Sequence, residues 1–206
     1  SVIGFAGDAI TCWFDDPLPL PEAPESRAVS RALTCAVAMQ SAMRAFAAVP
    51  VPGREPVSLA VKISVACGPA RRFLVGDPVV LRYDVLAGET LYRMAEGEHH
   101  ANRGEILLDE AAVQQMGQSI EVAEWRQEAG ESGAGRRFAV LAQLKTCSAP
   151  VPWDSFSTTP LTESTVRPWV HQAVAERLQA GMGEFLTELR PTVAVFLRFG
   201  GIDYDG

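Results

Sequence analysis

The stretch that decides the fold is VIGFAGDAITCWF, residues 2–14. Two short apolar runs flank the dipeptide Gly7-Asp8. A glycine followed by an aspartate between strand-forming residues is typical of a two-residue hairpin turn, because glycine adopts the positive φ that such turns need. The stretch therefore predicts a β-hairpin whose turn presents one carboxylate, that of Asp8.

A proline-rich loop and a helix are predicted after the hairpin. Four prolines between residues 17 and 24 remove backbone donors and indicate an exposed loop. Ser26 can cap a following helix, in which apolar residues recur at steps of three and four until the chain reaches Pro50. These apolar positions are Val29, Ala32, Ala36, Met39, Met43 and Phe46.

The clearest strand signal is VSLAVKISVAC, residues 57–67. Its apolar residues alternate with small or polar ones, which is the period of a strand with one buried face. Short strands and turns around Gly76-Asp77-Pro78 follow, then a helix in ETLYRMAEGEHH and a strand in GEILLD. A short helix closed by Gly117 and two strands, in SIEVAEWRQ and RRFAVLAQL, complete the series. This order predicts an α+β domain.

A second domain is predicted to begin late in the chain. Residues 145–165 are rich in Ser, Thr and Pro and show no periodicity, which indicates an interdomain linker. The sequence then predicts a helix in VRPWVHQAVAERLQAGMGEFL and a strand in RPTVAVFLRF. We therefore divide the chain into a first domain over residues 1–144, a linker over 145–165 and the start of a second domain over 166–206. Since Ser1 already lies in a predicted strand, we interpret the chain as part of a longer polypeptide.

Composition and charge exclude several classes of protein. With 48% hydrophobic and 21% charged residues in 206, the chain has an ordinary globular composition. A net charge of −7 and the lack of a basic stripe argue against nucleic-acid binding. No apolar run reaches the roughly 18 residues of a membrane span, and no signal peptide is visible. The four cysteines form no CxxC pair, so we expect reduced thiols in a cytoplasmic protein without a zinc ribbon.

Two motifs carry a resemblance to a known family. IGFAGDAITCWF resembles the central hairpin of class III nucleotide cyclases, in which a Phe-Ala-Gly-Asp turn links two strands. TELRPTVAVFLRF resembles the beginning of the second cyclase domain of soluble, bicarbonate-responsive adenylyl cyclases and their bacterial multidomain relatives. The resemblance implies a ferredoxin-like βαββαβ core, here without its opening strand. It also implies a second cyclase domain of the same chain, which pairs with the first around the active site.

The resemblance implies a two-metal reaction that converts ATP, favoured over GTP, to the 3′,5′-cyclic nucleotide and pyrophosphate. Asp8 matches the second of two metal-binding aspartates, and Phe5, Ala6 and Gly7 lie near the nucleotide phosphates. Hard Mg²⁺ or Mn²⁺ ions require oxygen ligands, and two ions hold the attacking and leaving oxygens. The first metal aspartate would precede Ser1, so we expect this chain alone to be inactive. From the residues alone, Asp8 also fits a plain turn residue.

The sequence departs from the family pattern at two positions. Arg198 stands where an active second domain has a metal-binding aspartate, so we expect a degenerate metal position there; Arg198 also fits a solvated edge strand. Arg93 matches an arginine near the anion site of the bicarbonate-responsive relatives, which makes it a candidate anion ligand. Gly4 stands where those relatives have a lysine, which counts against bicarbonate activation. Arg93 also fits an ordinary solvated helix residue.

Two other functions stay open. The chain also fits a catalytically inactive cyclase-homology domain that acts as a regulatory or dimerisation module, or an unrelated ferredoxin-like binding domain. An aspartate on the opening strand would distinguish the enzyme from the module, and a second Gly-Asp hairpin downstream would exclude the unrelated domain. The adjacent His99 and His100 point to different sides of a helix and fit a solvated helix end better than a metal site.

Overall fold

The computed structural model describes residues 2–16, 22, 27–127, 135–149, 161–182, 193 and 201–204. These residues belong to two compact units. Unit 1 consists of Ser1–Ala70 and Glu89–Val151, and unit 2 of Arg71–Gly88 and Pro152–Gly206. The predicted division at residues 144 and 165 stays a prediction.

Unit 1 contains eight strands and three helices among the described residues. Its strands are β1 Val2–Ala6, β2 Ala9–Cys12, β3 Val49–Val51, β4 Arg54–Val57, β5 Ile63–Val65, β8 Ile106–Asp109, β9 Ile120–Gln127 and β10 Arg137–Leu144. Its helices are α1 Ala28–Met43, α2 Glu89–His100 and α3 Glu110–Met116. Unit 2 contributes β6 Arg71–Val75, β7 Tyr83–Ala87, α4 Glu163–Val166 and α5 Gln172–Gln179.

The hairpin predicted from residues 2–14 is confirmed. β1 and β2 pair antiparallel, with Ala6 opposite Ala9 and Phe5 opposite Ile10. Gly7 has a φ of +63° and Asp8 does not have a positive φ. This sign pattern is that of a type II′ turn, in which glycine takes the first central position.

A four-stranded mixed sheet in the order β5-β8-β10-β9 forms the centre of unit 1. β5 runs parallel to β8, so the chain must cross over between them, and α2 lies on that crossover. β10 pairs antiparallel with both β8 and β9. The sheet therefore combines one parallel pair with an antiparallel edge.

Helices cover both faces of this sheet. All four residues of β8 are buried, and its three apolar residues alternate between two apolar clusters. Ile106 and Leu108 belong to the cluster that contains residues of α1 and α3, whereas Leu107 packs with Phe138 and Val140 of β10. A strand that is buried on both faces requires a continuous apolar sequence, which ILLD supplies up to its last residue.

Helix α1 is confirmed, but its buried stripe differs from the predicted one. The buried apolar residues are Val29, Leu33 and Ala36, whereas the predicted Met39 and Met43 are half-buried and Phe46 is 46% exposed. Phe46 lies beyond the end of α1 in a 3₁₀ turn, Arg44–Phe46, where the helical period no longer holds. The predicted cap, Ser26, lies outside the described residues. At the first residue of the helix, Ala28 N instead donates to Asp16 Oδ1, at 2.6 Å.

The predicted long strand over residues 57–67 is wrong in its extent. Of the predicted stretch, Ile63–Val65 pairs with β8, and Val57 pairs separately with Val49 in the β3–β4 hairpin. The backbone before it bonds elsewhere: Leu59 N donates to Phe46 O, and Val61 O accepts from Gly104 N. The sequence analysis also missed the β3–β4 hairpin, whose Pro52-Gly53 turn has a φ of +69° at Gly53.

In unit 2, β6 and β7 are the short strands predicted around Gly76-Asp77-Pro78, and they pair antiparallel. The helix predicted after the linker is interrupted: α4 passes into a 3₁₀ turn, Arg167–Trp169, before α5 begins. Pro168 in that turn lacks the N–H that a continuous helix needs. The predicted strand RPTVAVFLRF lies outside the described residues apart from Val193.

Among the helices of the described ranges, none is long and apolar enough to cross a membrane.

Candidate functional site

The β1–β2 turn presents Asp8 to solvent, as predicted. Asp8 is exposed, and a side chain added at the neighbouring Gly7 would meet nothing within 4 Å. Phe5 and Ile10, the second cross-strand pair from the turn, are 74% and 50% exposed. The turn is therefore open to a ligand, and its backbone is confined to two residues between paired strands.

The base of this hairpin is anchored to α1. Asp16 Oδ1 accepts from Ala28 N at the beginning of the helix, and Arg31 of the same helix donates to the backbone oxygen of Asp15. Both bonds join the segment after β2 to the first two turns of α1. The helix therefore restrains the end of the segment that carries the turn.

A metal ion would find one suitable donor at the turn. The carboxylate of Asp8 is a hard oxygen ligand of the kind that Mg²⁺ and Mn²⁺ prefer. Within the described ranges, no three His, Cys, Asp or Glu side chains gather in a way that could hold a metal ion. Partial burial, and then the nearby Cys35, raise the pKa of the Cys12 thiol at the end of β2, which disfavours its thiolate form. Asp8 fits a metal only as one ligand among several that come from elsewhere.

Arg93, the candidate anion ligand, is engaged within unit 1. Its Nε donates to Asp109 Oδ2 at 2.9 Å, and its Nη2 donates to Cys67 O at 2.9 Å. The side chain of Arg93 is 22% exposed and that of Asp109 only 3%. The observed partners of Arg93 thus belong to the protein itself, and its anion role stays a prediction.

The residues around Arg93 were missed in the sequence analysis. Asp109 stands between a strand and a helix in ILLDEAAV, and its side chain accepts from Ala112 N as an N-cap. That part of its role carries a sequence signal, since aspartate before a helical run is a preferred cap. The contacts with Cys67 and Arg93 carry none, because they join residues that are far apart in the chain.

The other predicted positions are placed as follows. Gly4 lies in β1 opposite Thr11. His99 is exposed, whereas the ring of His100 lies 5.5 Å from that of Phe138, so the two histidines point to different sides of the end of α2. Arg198 lies outside the described residues, as does the side chain of Ala6.

Solved structures with a similar fold are nucleotide cyclases. The catalytic core of a rhodopsin-guanylyl cyclase with converted specificity, in complex with ATPalphaS, matches with a TM-score of 0.54 and 15% identity over 68% of this chain and 70% of that one. The guanylyl cyclase Cya2 matches with a TM-score of 0.54 and 19% identity over 70% of both chains. The adenylyl cyclase CyaB from P. aeruginosa matches with a TM-score of 0.53 and 15% identity over 69% of this chain and 71% of that one.

No protein-family model and no curated protein matches the sequence. The similarity to the solved structures establishes the fold: the chain has the mixed α+β fold of nucleotide cyclase catalytic domains, as the hairpin motif led us to expect. These structures include enzymes named for adenylyl and for guanylyl cyclase activity, so they do not distinguish ATP from GTP.

Proposed function

We propose that the chain is part of a cytoplasmic class III nucleotide cyclase, which converts ATP to the 3′,5′-cyclic nucleotide and pyrophosphate in cyclic-nucleotide signalling. GTP is the second substrate to test, because the similar structures bear both names. The observation that carries the proposal is the coincidence of two features. The fold is that of cyclase catalytic domains, and the turn with the family's Phe-Ala-Gly-Asp sequence exposes its carboxylate to solvent.

Each residue of the turn has a proposed role. Asp8 contributes one carboxylate to the metal site, and Gly7 lets phosphate groups approach the backbone because it has no side chain. Phe5 and Ala6 complete the strand end beside the phosphates. Two Mg²⁺ or Mn²⁺ ions, when bound, would neutralise phosphate charge and activate the attacking ribose hydroxyl. The further ligands would come from the nucleotide phosphates and from a second aspartate.

The partner of this domain is proposed to be a second cyclase domain of the same chain, which begins within residues 166–206. In that domain Arg198 would occupy a metal position, and a guanidinium cannot bind a cation. The metals would therefore bind at one of the two pseudo-symmetric sites, the one that contains Asp8.

One observation favours a second function, that of a catalytically inactive cyclase-homology module with a regulatory or dimerisation role. The described residues bring only Asp8 to the turn, and Mg²⁺ requires more ligands than one carboxylate. The two functions differ in the strand that would precede Ser1, since the enzyme needs an aspartate there and the module does not.

The activity test uses a form of the protein extended at both ends, so that both predicted domains are complete. Cyclic AMP and cyclic GMP are measured with Mg²⁺ and with Mn²⁺, for the wild type, Asp8→Asn and Asp15→Asn. Asp15 is the matched control because it is an exposed aspartate just after the same hairpin. We expect Asp8→Asn to lose at least about 100-fold in rate, since a lost metal ligand removes transition-state stabilisation of several kcal/mol, and Asp15→Asn to retain activity.

Two outcomes would contradict the proposal. Equal activity of Asp8→Asn and the wild type would remove Asp8 from the mechanism while keeping the enzyme. If none of the three folded proteins forms a product from ATP or GTP, the chain is assigned to the regulatory module instead.

A further inference from the structure

A buried ion pair lies where the parallel strands of unit 1 end. The carboxylate of Asp109, at the end of β8, accepts from Arg93 Nε at 2.9 Å. It also accepts from the backbone N–H of Cys67, at 3.2 and 3.3 Å, and from that of Ala112, at 2.8 Å. The pair thus joins the end of β5, the first half of α2 and the beginning of α3.

The remaining bonds of Arg93 extend this network along α2. Arg93 Nη2 donates to Cys67 O at 2.9 Å and to Thr90 Oγ1 at 3.3 Å. The hydroxyl of Thr90 donates in turn to Pro69 O at 2.6 Å. We refer to Cys67, Thr90, Arg93 and Asp109 as the latch.

The latch joins two parts of the chain that are separated in sequence by Arg71–Gly88, which belongs to unit 2. Residues 67–69 follow β5, and residues 90–93 lie in α2. Gly68, in the first part, lies close to the second: a Cβ at Gly68 would lie 2.5 Å from Thr90 Oγ1 and 2.9 Å from Arg93 Nη2. A side chain at Gly68 would therefore require Thr90 or Arg93 to shift from the positions that form these bonds.

The chemistry of the latch requires these residue types. A planar guanidinium can donate to a carboxylate and to a carbonyl oxygen at once, which a lysine ammonium cannot do in the same fixed geometry. Because Asp109 is almost fully buried, removing Arg93 would leave an uncompensated charge, and that is the costly way to break such a pair. The latch therefore favours one arrangement of α2 on the ends of β5 and β8.

We propose that Arg93 is a positioning residue, and that the latch fixes where α2 begins on the parallel strands independently of Arg71–Gly88. This role is separate from the anion-binding role that the resemblance implied for Arg93, which stays a prediction. The inference does not depend on the proposed cyclase activity, because it concerns hydrogen bonds inside unit 1.

Amide hydrogen exchange of the whole chain, measured by NMR, tests the latch. The amides of Cys67 and Ala112 report on it directly, because both donate to Asp109. In Arg93→Met we expect the Cys67 amide to exchange at least about tenfold faster relative to the amides of the β9–β10 ladder. The matched control is Arg136→Met, since Arg136 also forms ion pairs with α2, through Glu89 and Glu96, but its side chain is 40% exposed. The control should leave the Cys67 amide unchanged.

Two further variants keep the test decisive if Arg93→Met does not fold. Arg93→Lys keeps the charge and should give a smaller acceleration at Cys67. Asp109→Asn should accelerate exchange at both Cys67 and Ala112, and Arg93→Lys combined with it should add little, because the two residues act as one unit.

The proposal is overturned if Arg93→Lys and Asp109→Asn leave the Cys67 amide unchanged. It is also overturned if exchange rises equally at Cys67 and throughout the β9–β10 ladder, since that pattern means general destabilisation. Bicarbonate or phosphate binding to the wild type that is lost in Arg93→Lys, without a change in exchange at Cys67, would support the anion role instead.

Discussion

Strand β8 and the β1–β2 hairpin are both short β-structures in unit 1, but they are stabilised in different ways. β8 is buried on both faces, and its residues contribute to two apolar clusters. The hairpin leaves Phe5, Ile10 and the turn residue Asp8 exposed, and its shape depends on the conformation of Gly7. Packing holds the first element, whereas turn geometry holds the second. The region that maintains the fold is therefore separate from the region that we propose to bind a ligand.

The largest expected change in stability comes from comparing one alanine substitution in β8 with one in the hairpin. Leu108→Ala in β8 should lower the free energy of unfolding by about 2–5 kcal/mol, because Leu108 is fully buried and its removal leaves a cavity. Ile10→Ala in β2 should cost less than about 1 kcal/mol, because Ile10 is half-exposed. Urea unfolding followed by circular dichroism measures both values. Equal losses would contradict the contrast between packing and turn geometry.

The same contrast explains which elements could be predicted from the sequence. The hairpin at Gly7-Asp8 and the short helix before Gly117 have local causes, since each depends on a glycine with positive φ. Both were predicted correctly. The extent of the strand around Ile63 could not be predicted, because it depends on pairing with β8, a partner far along the chain.

The latch was unpredictable for the same physical reason. The helical spacing around Arg93 gives no indication that its guanidinium meets Asp109, since that contact exists only after α2 has packed on β8. By contrast, the β3–β4 hairpin had a signal that was overlooked. Proline followed by glycine, as in Pro52-Gly53, is typical of a tight turn, but the prolines were interpreted only as the end of the preceding helix.

An intermediate effect is expected where α2 packs closely on the sheet. A Cβ at Gly97 would lie 2.5 Å from Ser64 Oγ and 3.0 Å from the ring of Phe138. Gly97→Ala should therefore lower the free energy of unfolding by about 1–3 kcal/mol through overpacking, although alanine favours a helix more than glycine does. Gly4→Ala in β1 is the control, since nothing lies within 4 Å of a Cβ at Gly4. If Gly97→Ala is as stable as Gly4→Ala, α2 can move away from the sheet without loss of stability, and overpacking does not occur.

A smaller effect is expected at an ion pair beside the edge strand β9. Bonds from both Nη atoms of Arg126, at 2.6 and 2.8 Å, lower the pKa of Glu105 from 4.5 to about 2. The stabilisation from this group is present above the unfolded-state pKa of 4.5 and is lost as the pH falls through 2. Since the Glu105 side chain is 25% exposed, Glu105→Gln should cost only about 1 kcal/mol at pH 7. The difference from the wild type should shrink between pH 4.5 and pH 2.

Thermal unfolding between pH 2 and pH 7 measures this pH dependence. The control is Glu121→Gln, because Glu121 pairs with Lys145 and its side chain is 54% exposed. The control should change the stability by less than about 0.5 kcal/mol at any pH. A Glu105→Gln deficit that stays constant down to pH 2 would show that the carboxylate charge is not its cause.

The most direct test of the claim that the β1–β2 turn binds metal and nucleotide is to locate bound Mn²⁺ by NMR. Mn²⁺ and ATP are added to the ¹⁵N-labelled protein in the form extended at both ends, so that both predicted domains are complete. The paramagnetic broadening of each backbone amide is measured for the wild type, Asp8→Asn and Asp15→Asn. We predict broadening centred on residues 6–10, weak broadening in β8, loss of the effect in Asp8→Asn and its retention in Asp15→Asn. Broadening that is unchanged in Asp8→Asn, or that is centred away from the β1–β2 turn, would contradict the assignment of this turn as the metal and nucleotide site.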